Sequence, residues 1–425
     1  AALRENQDVV WGCFYADEFQ EHQAKIGIEM WEEHGTAYAY LAEVDRIVRE
    51  EYGFGKYGLP ESFEDKNPYR WIAYRRWLND RTIEMAHAFR KRVKAVNPEI
   101  RVISMDPIAW LHPYDWSRLG EAFDIVTQQL YPSRNADLPR FMTMTKALAD
   151  LSGKPAWPVP HVEHYAASFT PEEVTELLSQ VFRAGGKGFH FYLSDVRGNR
   201  SGTSTFTERF GAPRRWETLC DIVKRTRSMN ELDFPEADCA VMFSNDAMMG
   251  DVGGALATGG RIPLDRYTTL VGLLAQAGVW FKFIDDDMIL RGKDLAAYKV
   301  VFVPHATFER SGVVERLLEY ARQGGTVVLL DPEAFRQDID GTDPAELREA
   351  FRGPDVEGAG KGTVAFSKPL DAAVPGWGVR RILSNENANV MARYEDGSAA
   401  VVRRRLGSGD AIVFGQFAFL GEAHQ

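Results

Sequence analysis

The chain has 425 residues, 45% of them hydrophobic, and a formal net charge of −11. Such a length points to two or more domains, with a core large enough to need no covalent staples. The acidic balance, with no clustered basic stripe, excludes nucleic acid as the main partner. No apolar run is long enough to cross a bilayer as a helix, so no membrane partner is expected. The three cysteines, Cys13, Cys220 and Cys239, are scattered and show neither metal-ligand nor disulfide spacing. No metal site and no organic cofactor are expected.

Through about residue 228, short apolar strands alternate with longer helical patterns. Strands are expected at 9–15, 100–105, 123–130, 156–162 and 188–193. Between the first two lies a long insertion and then a strong helix. There Trp71, Tyr74, Leu78, Met85, Phe89, Val93 and Val96 recur mostly at three- and four-residue steps, which puts them on one stripe facing a sheet. Asn97-Pro98 ends it. Another helix starts at Thr170-Pro171-Glu172-Glu173, with a threonine cap, proline in the first turn and early acids to meet the helix dipole. It stops at Gly185-Gly186.

Strand–helix alternation with continuous apolar strands implies a parallel sheet covered by helices. The long connections suit a (β/α) TIM-type barrel with active-site loops. Only five strands are read where such a barrel needs eight, and residues 1–6 read as the tail of a helix. Residue 1 is therefore expected to be an internal point of a longer polypeptide. The missing first three βα units would belong to that polypeptide or come from another chain. The expected first domain, residues 1–230, is the C-terminal part of the barrel.

Residues 228–237 read as a linker, after which the βα rhythm restarts. Strands are expected at 239–244, 280–284, 300–304 and 326–330, and helices at 267–277 and 313–323. Gly324-Gly325 caps the last helix. This predicts an α/β, doubly wound, flavodoxin-like domain over 237–425, structural or oligomer-forming in role. Residues 331–425 form a Gly- and Pro-punctuated extension, with short strands expected at 399–404 and 411–414.

Two strand ends carry chemistry. Trp11-Gly12-Cys13-Phe14-Tyr15 runs into Asp17-Glu18, and Trp157-Pro158-Val159-Pro160-His161-Val162 runs into Glu163. A carboxylate directly after a buried strand points into the cleft at that strand's end. Two carboxylates facing one cleft are what cleavage of a glycosidic bond requires. The plain alternative is that both are loop carboxylates making salt bridges or helix caps.

The order of these parts resembles glycoside hydrolase family 42, the β-galactosidase-like branch of the retaining glycosidases. Val9-Val10-Trp11-Gly12…Asp17-Glu18 is similar to that family's acid/base segment after barrel strand 4. Lys154-Pro155-Ala156-Trp157…Val162-Glu163 is similar to its nucleophile segment after strand 7. Phe123–Val126…Tyr131-Pro132 resembles strand 6, Gly185–Tyr192 resembles strand 8, and Leu295–Pro304 with Tyr320…Val328 resembles the second domain. The resemblance implies a (β/α)8 barrel, a flavodoxin-like domain that supports trimers, and a carbohydrate substrate. It assigns Glu18 as acid/base and Glu163 as nucleophile in hydrolysis of a β-galactoside or related β-linked sugar. The family carries asparagine before its acid/base, where this chain has Asp17. Ionised aspartate can only accept a hydrogen bond, so either the substrate would offer a donor there, such as an amide or ammonium, or the 2-hydroxyl would be turned round. Its charge would also raise the pKa of Glu18.

Further substrate contacts are expected from Tyr131, His161, His164, Tyr165, His190 and Tyr192. Trp110 and Trp157 are candidate platforms for a sugar face; packing in the core is the alternative for each aromatic. Glu29-Met30-Trp31-Glu32-Glu33-His34 reads as a subsite segment or a solvated charged loop. Two rivals stay open. The Asp17-Glu18 pair also resembles N-acetylhexosaminidases that use the substrate's own acetamide, and an incomplete barrel would leave a sugar-binding or assembly module.

Overall fold

A computed structural model describes residues 12–14, 19–37, 39–104, 114–130, 138–160, 171–190, 215–226, 234–250, 261–376 and 378–417. The chain divides into two units, Ala1–Ile26 with Leu78–Pro235, and Gly27–Trp77 with Glu236–Gln425. Residues 27–77, which fall inside the first expected domain, thus cluster with the second unit.

In the first unit, β1 (Gly12–Phe14) pairs in parallel with β2 (Arg101–Ile103), Cys13 opposite Val102. Ile103 bridges to Ile125 and Val126 to Ala156, both in parallel. Next, β3 (Gln129–Leu130) pairs in parallel with β4 (Val159–Pro160). Beyond it, the N–H groups of Lys187 and His190 donate to the carbonyls of Ala156 (2.9 Å) and Pro158 (3.0 Å). The five apolar runs expected as strands are therefore neighbours in chain order, and the paired ones run the same way. Successive βα units give parallel neighbours in that order.

Helices pack around these segments. Helix α1 (Pro68–Val96) contributes its residues from Leu78 onwards to this unit. Near its end, Arg90 and Lys94 reach the Asp124 carboxylate at 3.0 and 2.8 Å. Its Oδ2, the oxygen that meets Lys94, also accepts the Val102 N–H at 2.9 Å. Burial would raise the Asp124 pKa, but Lys94, the Val102 N–H and Arg90 outweigh it and hold it down at about 2. Helices α2 (Leu138–Ser152) and α3 (Pro171–Arg183) bury Phe141, Leu148, Leu178 and Val181. Glu172 and Glu173 lie in the first turn of α3, and Gly185, at φ +95°, ends it as a left-handed C-cap.

The second unit holds a nine-stranded mixed sheet. Strands β5 (Cys239–Phe243), β6 (Phe281–Asp285), β7 (Val300–Val303) and β8 (Thr326–Leu329) are parallel, in the spatial order β6-β5-β7-β8. That is the doubly wound arrangement expected from the sequence, with its switch point between β5 and β7. Helices α4 (Arg261–Gln276) and α5 (Ser311–Arg322) belong to this unit. On α5, Val313, Val314, Leu317, Leu318 and Ala321 form one buried stripe. Gly325 follows α5 because a Cβ there would come within 2.1 Å of the Tyr320 ring. Helix α6 (Ala345–Arg352) comes next.

The region from 331 onwards differs from its reading as an extension. Strands β9 (Val364–Phe366), β10 (Ala373–Val374), β11 (Asn389–Tyr394), β12 (Ala399–Leu406) and β13 (Gly409–Phe414) complete the same sheet in the order β8-β13-β12-β11-β9-β10. β13 pairs in parallel with β8, and the remaining pairings are antiparallel. Gly397 (φ +81°) and Gly407 (φ +57°) are turn residues of the two long hairpins. No described helix is long and apolar enough to cross a membrane.

Candidate active site

The described parts of the five segments run to positions 14, 104, 130, 160 and 190. Most of the expected site residues follow these positions in sequence. Asp17, Glu18, Trp110, Tyr131, His161, Glu163, His164, Tyr165 and Tyr192 lie outside the described residues. Trp157 and His190 lie within them, on neighbouring segments joined by the His190-to-Pro158 hydrogen bond. Both are half-buried. The Trp157 indole lies against Gly188, where an added Cβ would meet Nε1 at 2.9 Å.

Small polar side chains line the inner segments. The Ser104 hydroxyl accepts the Thr127 N–H at 2.7 Å, and the Thr127 hydroxyl donates to the Ser104 carbonyl at 3.1 Å. Ser104, Thr127 and Gln129 are all buried. Sequence reading passed over them, although short polar residues inside otherwise apolar strands were the available signal.

The segment 29–34 belongs to the helix Phe19–His34 rather than to a loop. It falls in the part of the chain that clusters with the second unit. Glu32 accepts the Phe63 N–H at 2.8 Å, a structural contact.

The second unit contains a buried polar cluster that sequence reading missed. Asp246 follows β5, Asp286 follows β6 and Glu309 lies beyond β7; each is essentially unexposed. Each turns an oxygen into one space, all within 4.8 Å of one another, a spacing suited to a cation. Two guanidiniums already enter it. Arg76 meets Asp246 at 2.7 Å, while Arg310 meets Asp246 at 2.6 Å, Asp287 at 2.7 Å and Asp286 at 3.5 Å. Four carboxylates thus face two arginines, and protons can supply the balance. Burial and the charge of Asp246 push Asp286 up to about 7. Burial, Asp286 and Asp246 likewise lift Glu309 well above the carboxylate range. The signal available in the sequence was acids at the carboxyl ends of successive parallel strands.

Beside it lies a second buried charge. Asp331, unexposed at the end of β8, meets Arg266 of α4 at 3.0 Å and His305 at 3.6 Å. It also accepts the N–H groups of Ala306 (3.1 Å) and Glu333 (3.0 Å). Burial opposes ionisation, but Arg266, His305 and the Glu333 N–H outweigh it and hold the carboxyl far below its usual range.

Residues 277–331 match the family model of the beta-galactosidase trimerisation domain. No curated protein matches the chain. Solved structures match almost all of it. The β-galactosidase of the Antarctic haloarchaeon Halorubrum lacusprofundi is 16% identical with a TM-score of 0.73, over 98% of this chain and 69% of that one. A catalytic mutant of a family-42 β-galactosidase from G. stearothermophilus is 13% identical with a TM-score of 0.71, over 95% and 69%. The β-galactosidase of Bacillus circulans sp. alkalophilus is 17% identical with a TM-score of 0.67, over 93% and 63%. The chain therefore spans less than two thirds of the Bacillus circulans enzyme. At these identities the likeness is one of fold, and the chain is similar in fold to family-42 β-galactosidases.

Proposed function

We propose that this chain forms the later part of the catalytic barrel, and the trimerisation domain, of a retaining glycoside hydrolase of family 42. Its substrate is a β-galactoside or a related β-linked sugar. The observation that carries this reading is the run of five neighbouring segments in chain order. In sequence, Glu18 follows β1 (Gly12–Phe14) and Glu163 follows β4 (Val159–Pro160). The match of residues 277–331 to the trimerisation domain supports the same reading and favours a homotrimer.

In this reading Glu18 protonates the leaving oxygen while the Glu163 carboxylate attacks the anomeric carbon. Glu18 then deprotonates the water that releases the sugar. Retention requires the two carboxyl groups to stand about 5–5.5 Å apart. The charge of Asp17 next to Glu18 keeps the acid protonated near neutrality. Trp157 and His190 contribute a sugar face and a hydrogen bond.

The test is a 2-fluoro-galactoside trap on the complete polypeptide, followed by peptide mapping. The expected ester sits on Glu163, and a label elsewhere, or none in an active preparation, overturns the assignment. Rates on an N-acetyl substrate and on its 2-hydroxy analogue separate this reading from an acetamide-assisted one. A preference for the N-acetyl sugar would give Asp17 the acetamide-orienting role instead.

A further inference from the structure

In the second unit, a cavity of about 310 Å³ lies between the end of α6, the turn 353–358 and the segment 381–384. Its volume is at the lower end of small-molecule sites. Arg336, Arg352 and Arg381 line it, with Ser384, Asp355 and Glu357. Arg352, the last residue of α6, is only 5% exposed. Its Nη1 is buried without a hydrogen-bond partner, and no ion pair joins it to a described carboxylate.

Of the neighbouring acids, Glu333, Asp343 and Asp355 are already engaged, and Glu357 is exposed. Glu333 takes the Arg381 guanidinium in a fork at 2.6 and 3.1 Å and meets Arg336 at 3.4 Å. Asp355 meets Arg348 at 3.2 Å, and Asp343 is also paired with Arg348. Arg404, 8% exposed, donates to the carbonyls of Ser384 (2.7 Å) and Glu386 (2.8 Å) rather than to a carboxylate. Arg352 thus lines the cavity as a buried guanidinium with no ion pair to a described carboxylate, Asp331, Glu333 and Asp355 acting on it only at a distance. An arginine cannot escape by deprotonation, so a buried guanidinium without an ion pair favours an anion beside it.

We infer that this cavity binds a small organic oxyanion, a carboxylate or a phosphate ester, with the Arg352 guanidinium as its principal partner. Arg336 and Arg381 flank the anion, and the planar donor fork of arginine suits either oxyanion. The site lies outside the expected catalytic residues and is independent of the proposed glycosidase reading. Because the chain carries a net charge of −11, binding works against the overall field and depends on the local arginines.

The test is thermal shift and calorimetry on the whole purified protein at matched ionic strength. The probes are inorganic phosphate, glucose 6-phosphate, glucuronate and neutral glucose, each compared with chloride. The expected result is saturable stabilisation by at least one anion and none by glucose; the tighter of phosphate ester and carboxylate identifies the source. Arg352→Gln should weaken binding at least tenfold while leaving the far-UV spectrum unchanged. Arg336→Gln, at a half-exposed position, should weaken it less and decides the matter if the first variant fails to fold. Stabilisation no greater than that by chloride, or unaltered binding in the variants, overturns the inference. So does loss of oligomers in Arg352→Gln without any anion effect, which would assign the guanidinium to a protein interface.

Discussion

Trp157 and Gly188 sit on adjacent segments in direct contact: the indole occupies the volume that a side chain at 188 would need. A Cβ there would lie 2.9 Å from Nε1 and 3.0 Å from Cδ1. The ring is a rigid plane, so it can give way only by rotating as a whole. Gly188→Ala should therefore destabilise the first unit by about 1–3 kcal/mol, the usual cost of overpacking. Urea denaturation followed by tryptophan fluorescence measures this, and an unchanged midpoint would mean that the indole is free to move. If Trp157 also carries a sugar face, KM should rise in the same variant more than kcat falls.

A different kind of dependence holds α4 to the end of β8. Asp331 is fully buried and ionised, with Arg266 as its main partner at 3.0 Å. Asp331→Ala leaves that guanidinium, itself 8% exposed, without its anion. Removing one partner of a buried pair costs about 3–5 kcal/mol, so this variant should be among the least stable single substitutions in the second unit. The sign of the pH dependence follows from the depressed pKa. The stabilisation is complete above the ordinary carboxylate range and is lost as pH falls through the folded value. Equilibrium unfolding from pH 7 down to pH 3 should show a smaller loss on acidification in Asp331→Ala than in the parent.

Much of this was legible in the sequence, for physical reasons that differ by element. Helix α1 was readable because its apolar residues recur at helical spacing, although Met85 of the expected stripe is exposed and Ile83 and Ala86 are buried instead; α3 was readable because its cap, proline and first-turn acids are local signals. The parallel strands were readable as continuous apolar runs. β11 was not: register shifts between Val390 and Arg393 break its alternation, so the period-2 signal is lost. The glycines between β11, β12 and β13 resembled loop composition, although two of them are hairpin turns. The Asp246–Asp286–Glu309 cluster was missed because its members follow three separate strands, and acids after strands do not by themselves say which will meet. Only the sheet order brings them together.

That cluster gives a pH dependence of opposite sign. Asp286 is pushed up to about 7 by burial and by the charge of Asp246. The folded chain therefore holds a proton that the unfolded chain releases near an ordinary carboxyl pKa of about 3.9. The associated stability is fully present below that value and is lost as pH rises through about 7. Asp286→Asn, which cannot ionise, should flatten the fall in stability between about pH 4 and about pH 7. Urea midpoints at four pH values across that window test it, and parallel curves for parent and variant would contradict the assignment.

Arg310 is the residue on which the same cluster depends most. It reaches Asp246, Asp286 and Asp287 together, whereas Arg76 reaches Asp246 alone among the described carboxylates. Removing Arg310 strands Asp286 and Asp287, to be neutralised by protons, and leaves Asp246 held by Arg76; removing Arg76 leaves all three acids still paired with Arg310. Arg310→Met should therefore cost about 3–5 kcal/mol and Arg76→Met distinctly less. The Arg310 variant should also gain stability on acidification to pH 5, because proton uptake by the stranded carboxylates replaces the lost guanidinium. Thermal unfolding of both variants at pH 5 and pH 8 measures the two effects. Equal losses, or no recovery at pH 5, would mean that the arginines act through packing rather than charge.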